Sequence, residues 1–369
     1  MKKSVKTIFS VLALSSLLVA GCSGGNQPAP SNTSSTEGAG QEEKIEGKLV
    51  IAGNGATVEK LMKDKIFKKF NEKYPDVELA YVAGVATEIV AKVKAQKNSP
   101  QIDVTYIEGG EQEKGRVEGL WQPITEKDVP SISKISKELA VSENSGAVIN
   151  FTPMGISYNS ELVKEKGLPI PSSWNDLTKP EMKGNLTMND VTSNFGRSAL
   201  IMLSYANGGS EKDVEEGFKH FGTIAGYMPT FAKSAAQLQQ NLQSKSAVYT
   251  TWPMARSITQ KKAGLPLEFV VPKEGANIIP TVGSVVKDAK NPEAAKAFIE
   301  FLLTDEIQTL FATEAYYVPA VDVPLPEEVK KELEFDRSKI VYFDYGILSK
   351  ESGKWIERFN KEIAPKVGK

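Results

Sequence analysis

The chain is poor in the residues that most metal sites and catalytic sites use. Its 369 residues include a single cysteine, Cys22, and a single histidine, His220. One cysteine excludes an intrachain disulfide. One histidine excludes histidine-rich metal sites and leaves almost no basis for a serine–histidine or cysteine–histidine pair. Since motifs of serine hydrolases, zinc peptidases and phosphate-binding loops are also lacking, we expect no enzymatic activity, no metal and no cofactor.

The chain also lacks an excess of either charge. It has 45 lysines and arginines against 46 aspartates and glutamates, so it has no electrostatic footprint for nucleic acid. Its length is too great for one ordinary domain and indicates two. We therefore expect a two-domain protein, monomeric, that binds no DNA or RNA.

The longest N-terminal apolar run is too short for a permanent membrane span, which needs about 20 residues. It covers residues 7–20, follows a basic start and ends at Gly21-Cys22. This arrangement predicts a signal peptide over residues 1–21. The end of the run resembles the bacterial lipobox, which implies cleavage before Cys22 and acyl chains on it. An ordinary signal peptide with an incidental cysteine is the alternative.

The segment after Cys22 contains no bulky apolar residue as far as about Gln41. Such a composition cannot bury enough surface to fold. We therefore expect residues 22–45 to be a lipidated, disordered tether. A chain held in this way would be exported and anchored to the outer face of the cell membrane.

The first part of the body alternates between strand and helix patterns. Strands are predicted at residues 48–53, 77–82 and 102–107, and helices at 57–74 and 88–97. This order favours an α/β domain with a mainly parallel sheet. A second set begins near Gly155, with strands at 155–159, 185–188, 247–252 and 267–271 and helices at 193–206 and 234–243. A long helix is predicted to start with Asn291 as N-cap and Pro292 in its first turn, and its apolar stripe continues as far as Phe311.

Several segments resemble the solute-binding proteins of the spermidine/putrescine, ferric-iron, thiamine and phosphonate importers. They include Phe70-Asn71-Glu72-Lys73-Tyr74-Pro75, Gly155-Ile156-Ser157-Tyr158-Asn159, Pro171-Ser172-Ser173-Trp174 and Lys290-Asn291-Pro292-Glu293-Ala294. The resemblance covers most of the chain after the tether. It implies a type II periplasmic-binding-protein-like fold, in which each of two α/β lobes has a mainly parallel sheet with flanking helices and the ligand lies in the cleft between them.

The same resemblance implies the division of the chain. Lobe 1 would comprise residues 46–152 and 278–325, lobe 2 residues 153–277, and residues 326–369 would be a C-terminal helical segment packed on the lobes. The two crossings would lie near residues 150–155 and 272–280. The implied function is capture of a small solute for the permease and ATPase of an ABC transporter. A sensory surface lipoprotein that is not coupled to transport is the alternative.

Loops at the ends of predicted strands are the candidate solute contacts, because ligands of open α/β sheets bind there. After the first strand, Asn54 and Gly55 are either a plain turn or a contact through backbone N–H groups. After the third strand, Glu108 is placed to pair with an amine and Gly109 to let a ligand approach the backbone. A tight turn with a solvated glutamate is the alternative.

The second domain offers further candidates. Thr192, Ser193 and Asn194 precede a helix, where one of them is needed as N-cap and the others can contact a solute. Trp252 ends a strand and is either an aromatic wall of the cleft or a core residue.

The last candidate is Thr281, at the second crossing. The polyamine-binding relatives carry an acidic group there, so Thr281 weakens a polyamine assignment. Tyr316-Tyr317 is similar to the paired tyrosines of ferric-binding proteins but lies in a turn typical of the wider family. We therefore expect a polar organic solute, polyamine-like or phosphonate-like, rather than iron. Trp121 and Trp174 are expected in the core and His220 on a surface helix.

Overall fold

A computed structural model describes residues 44–53 and 55–369. Cys22 and the predicted signal peptide and tether lie outside the described residues, apart from the last two positions of the tether, and so does Asn54. Within the described residues, no helix is both long enough and apolar enough to span a membrane.

The described strands belong to one continuous mixed sheet. They are β1 (Gly47–Gly53), β2 (Val77–Ala83), β3 (Val104–Glu108), β4 (Trp121–Gln122), β5 (Ala147–Asn159), β6 (Leu186–Thr187), β7 (Tyr249–Pro253), β8 (Leu267–Val270), β9 (Ala276–Val286), β10 (Val318–Pro319) and β11 (Ile340–Val341). The main order is β2-β1-β3-β9-β5-β7-β6.

The helices flank this sheet. They are α1 (Ala56–Leu61), α2 (Phe67–Lys73), α3 (Ala86–Ala95), α4 (Gly109–Val117), α5 (Ser160–Lys166), α6 (Asn194–Tyr205), α7 (Glu215–Ala225), α8 (Ala235–Gln243), α9 (Met254–Lys262), α10 (Pro292–Leu302), α11 (Asp305–Glu314), α12 (Glu327–Glu332) and α13 (Tyr345–Glu362). A π-helical turn, Met62–Ile66, joins α1 to α2.

Two long strands carry the chain between the two lobes. The first half of β5, up to Pro153, pairs with β9, while residues 154–159 pair with β7 and β8. The other long strand, β9, also pairs with β3. We call lobe 1 the part built on β1–β4 with α1–α4, α10 and α11, and lobe 2 the part built on β6–β8 with α5–α9. Every residue of β5 and β9 is buried, so the two crossing strands lie in the interior, where both lobes pack on them.

The predicted parallel pairing is found for β1 with β2 and β3 and for β6 with β7. The crossing strands add antiparallel pairs, since β9 runs against β3 and β5, and β5 runs against β7 and β8. The sheet of lobe 2 is consequently more antiparallel than the sequence predicted. The reason is that parallel neighbours need a crossover connection, whereas β5 enters from the other lobe and pairs with β7 and β8 in the opposite direction.

Each lobe has its own hydrophobic core. Lobe 1 packs α2, α10 and α11 on its sheet, with Phe70 and Phe298 fully buried. Lobe 2 buries Trp174 and Phe221, and α13 completes this core with Trp355 and Phe359. The C-terminal segment thus stabilises lobe 2 while the first turn of α13 reaches the lobe 1 helix α4.

Several local predictions can be compared with the structure. Asn291 caps α10 by accepting a hydrogen bond from the backbone N–H of Ala294, and Pro292 is the first residue of that helix. Trp121 is buried at 4% exposure and Trp174 at 0%. The helix predicted to run through Phe311 breaks after Leu302, since Thr304 begins a new helix, α11.

Candidate functional site

Three neighbouring cavities follow the seam between the lobes. Cavity I has a volume of about 160 Å³, cavity II about 30 Å³ and cavity III about 10 Å³. Cavities I and II share the lining residues Gly55, Arg256 and Tyr317, while cavities II and III share Glu108 and Ile279. The seam therefore forms a continuous row of small spaces with walls from both lobes.

Glu108 stands at the centre of this row. It ends β3, and the register of the sheet places Thr281 of β9 directly beside it. Asn194 at the start of α6 donates a hydrogen bond from Nδ2 to Glu108 Oε2 at 2.9 Å. Three residues predicted as contacts, Glu108, Asn194 and Thr281, are thus brought together from a strand end, a helix start and the middle of a crossing strand, which are far apart in sequence.

A buried ion pair lies behind Asn194. Arg197 of lobe 2 donates from Nη2 to Glu111 Oε1 of lobe 1 at 3.3 Å, and both side chains are at most 6% exposed. Arg197 also donates to the carbonyl oxygen of Thr192 at 2.9 Å and to Asn194 Oδ1. Burial lowers the pKa of Arg197, while the negative charge of Glu111 opposes this effect. The guanidinium therefore fixes the loop before α6 and links the two lobes.

Thr192 and Ser193 have local hydrogen-bond partners. Thr192 is exposed, and its hydroxyl donates to the carboxylate of Asp190. Ser193 is the N-cap of α6, where its Oγ accepts from the backbone N–H of Gly196 at 3.0 Å. Gly196 has no room for a side chain, because an added Cβ would lie 1.9 Å from the carbonyl oxygen of Asp190. The structure thus gives Ser193 the capping role that the sequence left open.

Trp252 lines cavity I from the end of β7. Its side chain is 1% exposed and packs with Met154 and Phe195 in a small apolar cluster. In the described part of the chain, Nε1–H of Trp252 has no hydrogen-bond acceptor. Trp252 is therefore a core residue that also lines the cavity, and its contact with a solute stays a prediction.

Gly55 lines cavities I and II with a left-handed backbone (φ 92°) that favours glycine. Gly109 lies elsewhere. It lines a separate cavity of about 190 Å³ between α4 and the segment before α13. An added Cβ at Gly109 would lie 2.9 Å from Cγ of Pro280, so close packing on β9 accounts for the glycine. The structure places Gly109 outside the three seam cavities.

Residues that sequence reasoning missed complete the seam. Arg256 on α9 lines cavities I and II, and its guanidinium lies 5.6 Å from the ring centroid of Phe195. Tyr106 also lines cavity II, and its hydroxyl accepts a hydrogen bond from Asn150 Nδ2 at 2.7 Å. The signal for Arg256 was its place just after the strand that ends in Trp252-Pro253, at the start of the next helix.

The adjacent tyrosines point to different surroundings. Tyr317 lines cavities I and II, and desolvation raises its pKa while Arg256 opposes the rise. Tyr316 has a left-handed backbone (φ 58°) and lies near Lys262 and Glu332. The two phenols therefore do not face one site together. Among the described residues, no group of three histidine, cysteine, aspartate or glutamate side chains is placed to hold a metal ion.

Comparison with known proteins gives a consistent result. A family model described as bacterial extracellular solute-binding protein matches residues 65–336. An uncharacterized protein of Haemophilus influenzae is 26% identical over 324 residues, which cover 84% of this chain and 90% of that protein. The spermidine/putrescine-binding periplasmic protein of Salmonella typhimurium is 28% identical over 203 residues, or 54% of this chain and 55% of that protein.

A solved structure extends the comparison to the fold. The periplasmic binding protein AfuA from Actinobacillus pleuropneumoniae, with fructose-6-phosphate bound, superposes with a TM-score of 0.71 at 26% identity. The match covers 86% of this chain and 98% of AfuA. The two-lobed arrangement predicted from the sequence is the fold that these proteins share.

Proposed function

Since the chain belongs to the family of bacterial extracellular solute-binding proteins, we propose that it captures a small polar organic solute between its lobes for an ABC importer. The observation that carries this proposal is the row of cavities with walls from both lobes. A solute in cavities I and II would touch Gly55 and Glu108 on one side and Arg256 on the other. Binding, rather than chemistry, is the proposed role.

Closure around the solute would follow from the two crossings. The lobes are joined through β5 and β9, and hinge closure about a few crossing residues is the usual motion of such proteins. The proposed boundaries are 46–152 with 278–325 for lobe 1 and 153–277 for lobe 2. The hinge would then lie near Pro153 and Ile278, which face each other across the β5–β9 pair.

The chemistry of cavity II supports a polar ligand with an ammonium group. Glu108 supplies a carboxylate, Thr281 a hydroxyl and Tyr106 a phenol. The negative charge of this carboxylate complements an ammonium group, and hydrogen bonds between two charged groups are the strong ones. Of the two candidate classes, polyamine-like and phosphonate-like, polyamines carry such a group, and so do those phosphonates that also bear an amine.

We also propose that the protein is exported and held at the outer face of the membrane by lipid on Cys22. The support is the lipobox-like run, in which the only cysteine of the chain occupies the position that lipidation needs. The proposed partners are the permease and ATPase subunits of the importer, with the binding protein acting as a monomer. A tether over residues 22–45 would let the lobes reach the permease while the lipid stays in the membrane.

A stability screen of residues 44–369 tests the proposal. We expect a few members of a panel of amines, aminophosphonates, sugar phosphates, thiamine and ferric complexes to raise the melting temperature. A ligand at one hundred times its dissociation constant raises the free energy of unfolding by about 2.7 kcal/mol. With that compound, small-angle scattering should give a smaller radius of gyration. A panel without any stabilising member would count against solute capture, and an unchanged radius would count against closure.

A further inference from the structure

Arg256 differs from the other buried or half-buried arginines of the structure. Arg116, Arg197 and Arg358 each form an ion pair with a glutamate. In the part of the chain that the structure describes, the guanidinium of Arg256 forms neither an ion pair nor a hydrogen bond. It is half-buried on the wall of cavities I and II. The ring of Phe195 lies 5.6 Å from the guanidinium, and Glu108 lines cavity II with it, but a cation partly removed from water is costly when it forms no ion pair. The position of Arg256 therefore favours an anionic partner.

A second donor in the same cavity lacks a partner. Indole nitrogen is a donor only, and two of the other three tryptophans use it within the described residues: Trp121 donates to the carbonyl oxygen of Gln112 at 2.7 Å and Trp174 to that of Gly275 at 2.8 Å. The Nε1–H of Trp252 has no such acceptor within the described residues, although its atom is buried. Buried donors are nearly always satisfied, and Trp252 belongs to the wall of cavity I, so a solute in this cavity is the acceptor that we assign to its N–H.

The remaining polar wall of cavity I agrees with these two donors. Tyr317 lies on the opposite lobe, and desolvation raises its pKa, so its phenol stays protonated and can donate. Thr57 adds a hydroxyl. Arg256, Trp252 and Tyr317 thus line a space of about 160 Å³ with residues from both lobes, and each of their side chains carries a donor.

We propose that Arg256 and Trp252 bind an oxyanion group of the solute, a phosphonate, phosphate ester or carboxylate. The inference rests on the proposed function, because it specifies which solute the cleft takes. Arginine binds such groups through two parallel hydrogen bonds, and the protein environment strengthens the contact. The opposite charge of Glu108 in cavity II places an ammonium at the other end. A polyamine, cationic at both ends, would bring a positive charge against Arg256.

Matched small probes separate these solute classes. Aminoethylphosphonate, β-alanine and ethylenediamine share a short chain with one amine and differ in the second group. Inorganic phosphate and glucose phosphate test the oxyanion without the amine. By calorimetry and melting temperature, we expect binding of at least one oxyanion probe and none of ethylenediamine or putrescine. Which oxyanion probe binds most tightly identifies its source.

Variants assign the contact to residues. Arg256→Gln should lower the affinity for the oxyanion probe by at least about tenfold, since a charge-assisted hydrogen bond is lost. Arg337→Gln makes the same change on an exposed residue and should leave affinity unaltered. Trp252→Phe keeps an aromatic ring without the N–H and should weaken binding by about threefold or more. The unliganded melting temperature of each variant reports folding. If Arg256→Gln is unstable, Arg256→Lys takes its place, since it retains the charge and should keep part of the affinity.

The outcomes distinguish the inference from the proposed function. Tight binding of a diamine with no oxyanion probe bound would overturn the inference while solute capture stands. Unchanged oxyanion affinity in Arg256→Gln would also overturn it. If neither these probes nor the wider panel bind at all, the proposed function itself fails, and the inference fails with it.

Discussion

The guanidinium of Arg197 in lobe 2 lies 3.3 Å from the carboxylate of Glu111 in lobe 1, and this buried pair links the lobes beside the cavities. Arg197→Met removes the interlobe charge contact, although Lys114 still pairs with Glu111 at 2.9 Å. Truncating one partner of a buried charge pair across an interface typically costs about 2–5 kcal/mol of the free energy that holds the two sides together. Because this pair joins the two lobes between which the solute is proposed to lie, we expect Arg197→Met to lower solute affinity by about tenfold or more, measured by calorimetry.

A double-mutant cycle with Glu111→Gln checks that the effect comes from the pair. Because the two side chains are in direct contact, the loss of binding free energy in the double variant should be smaller than the sum of the losses in the two single variants. Strictly additive losses would mean that Arg197 acts only through its hydrogen bonds to the loop before α6.

Ser193 is expected to stabilise helix α6 as its N-cap. Ser193→Ala should lower the free energy of unfolding by about 0.5–2 kcal/mol, measured by urea denaturation. Ser193→Asp keeps a capping oxygen and serves as the control, with little loss of stability. An affinity loss in Ser193→Ala without any loss of stability would instead assign the hydroxyl to the solute.

Acid should weaken the loop that Asp190 organises. Its carboxylate is buried, and although burial raises the pKa, hydrogen bonds from Lys233 and Thr192 bring it below the ordinary value of 3.8. The charged form therefore stabilises the fold above pH 3.8, and this contribution is lost as the pH falls through the lower pKa of the folded state. Asp190→Asn should be destabilised at pH 7, by a difference that shrinks below about pH 4.

The control for acid sensitivity is Asp322→Asn, the same change on an exposed residue. It should follow the wild-type stability at every pH. A difference between wild type and Asp190→Asn that stays constant from pH 7 to about pH 3 would show that the charge of Asp190 contributes nothing.

Membrane attachment should depend on Cys22. Cys22→Ala removes the only thiol of the chain, and we expect the protein to leave the membrane fraction or to accumulate as an unprocessed precursor. Fractionation with detection by antibody distinguishes these results from wild type. Normal processing with full membrane retention of Cys22→Ala would contradict lipidation.

Much of the fold followed from local sequence patterns. The apolar runs of β1 and β3, and Asn291-Pro292 at the start of α10, are determined by residues close in the chain. The break between α10 and α11 was missed because the apolar stripe continues across it, while Thr304 acts only as a local start signal. The antiparallel pairs of lobe 2 depend on how β5 meets β7 and β8, which no local pattern contains.

The site was predictable to a lesser degree. Strand ends drew attention to Glu108 and Trp252, and the second crossing to Thr281, and the structure places all three along the seam. The role of Arg256 could not be predicted from the sequence. An arginine in a helix usually forms an ion pair or faces solvent, and only the tertiary structure shows which residues surround it. Gly109 shows the converse, because a glycine next to a strand end can serve packing on Pro280 as well as ligand approach.

The central claim, that solute enters the space between the lobes beside Trp252, has a direct optical test. The chain has four tryptophans, and Trp252 is the one that lines cavity I. Titration with the compound selected by the stability screen should change the intrinsic fluorescence of the wild type and of Trp355→Phe, whose altered residue lies in the core of lobe 2. The change should vanish in Trp252→Phe while calorimetry still detects binding. A fluorescence change that persists undiminished in Trp252→Phe and disappears in Trp355→Phe would contradict the account and place the solute elsewhere.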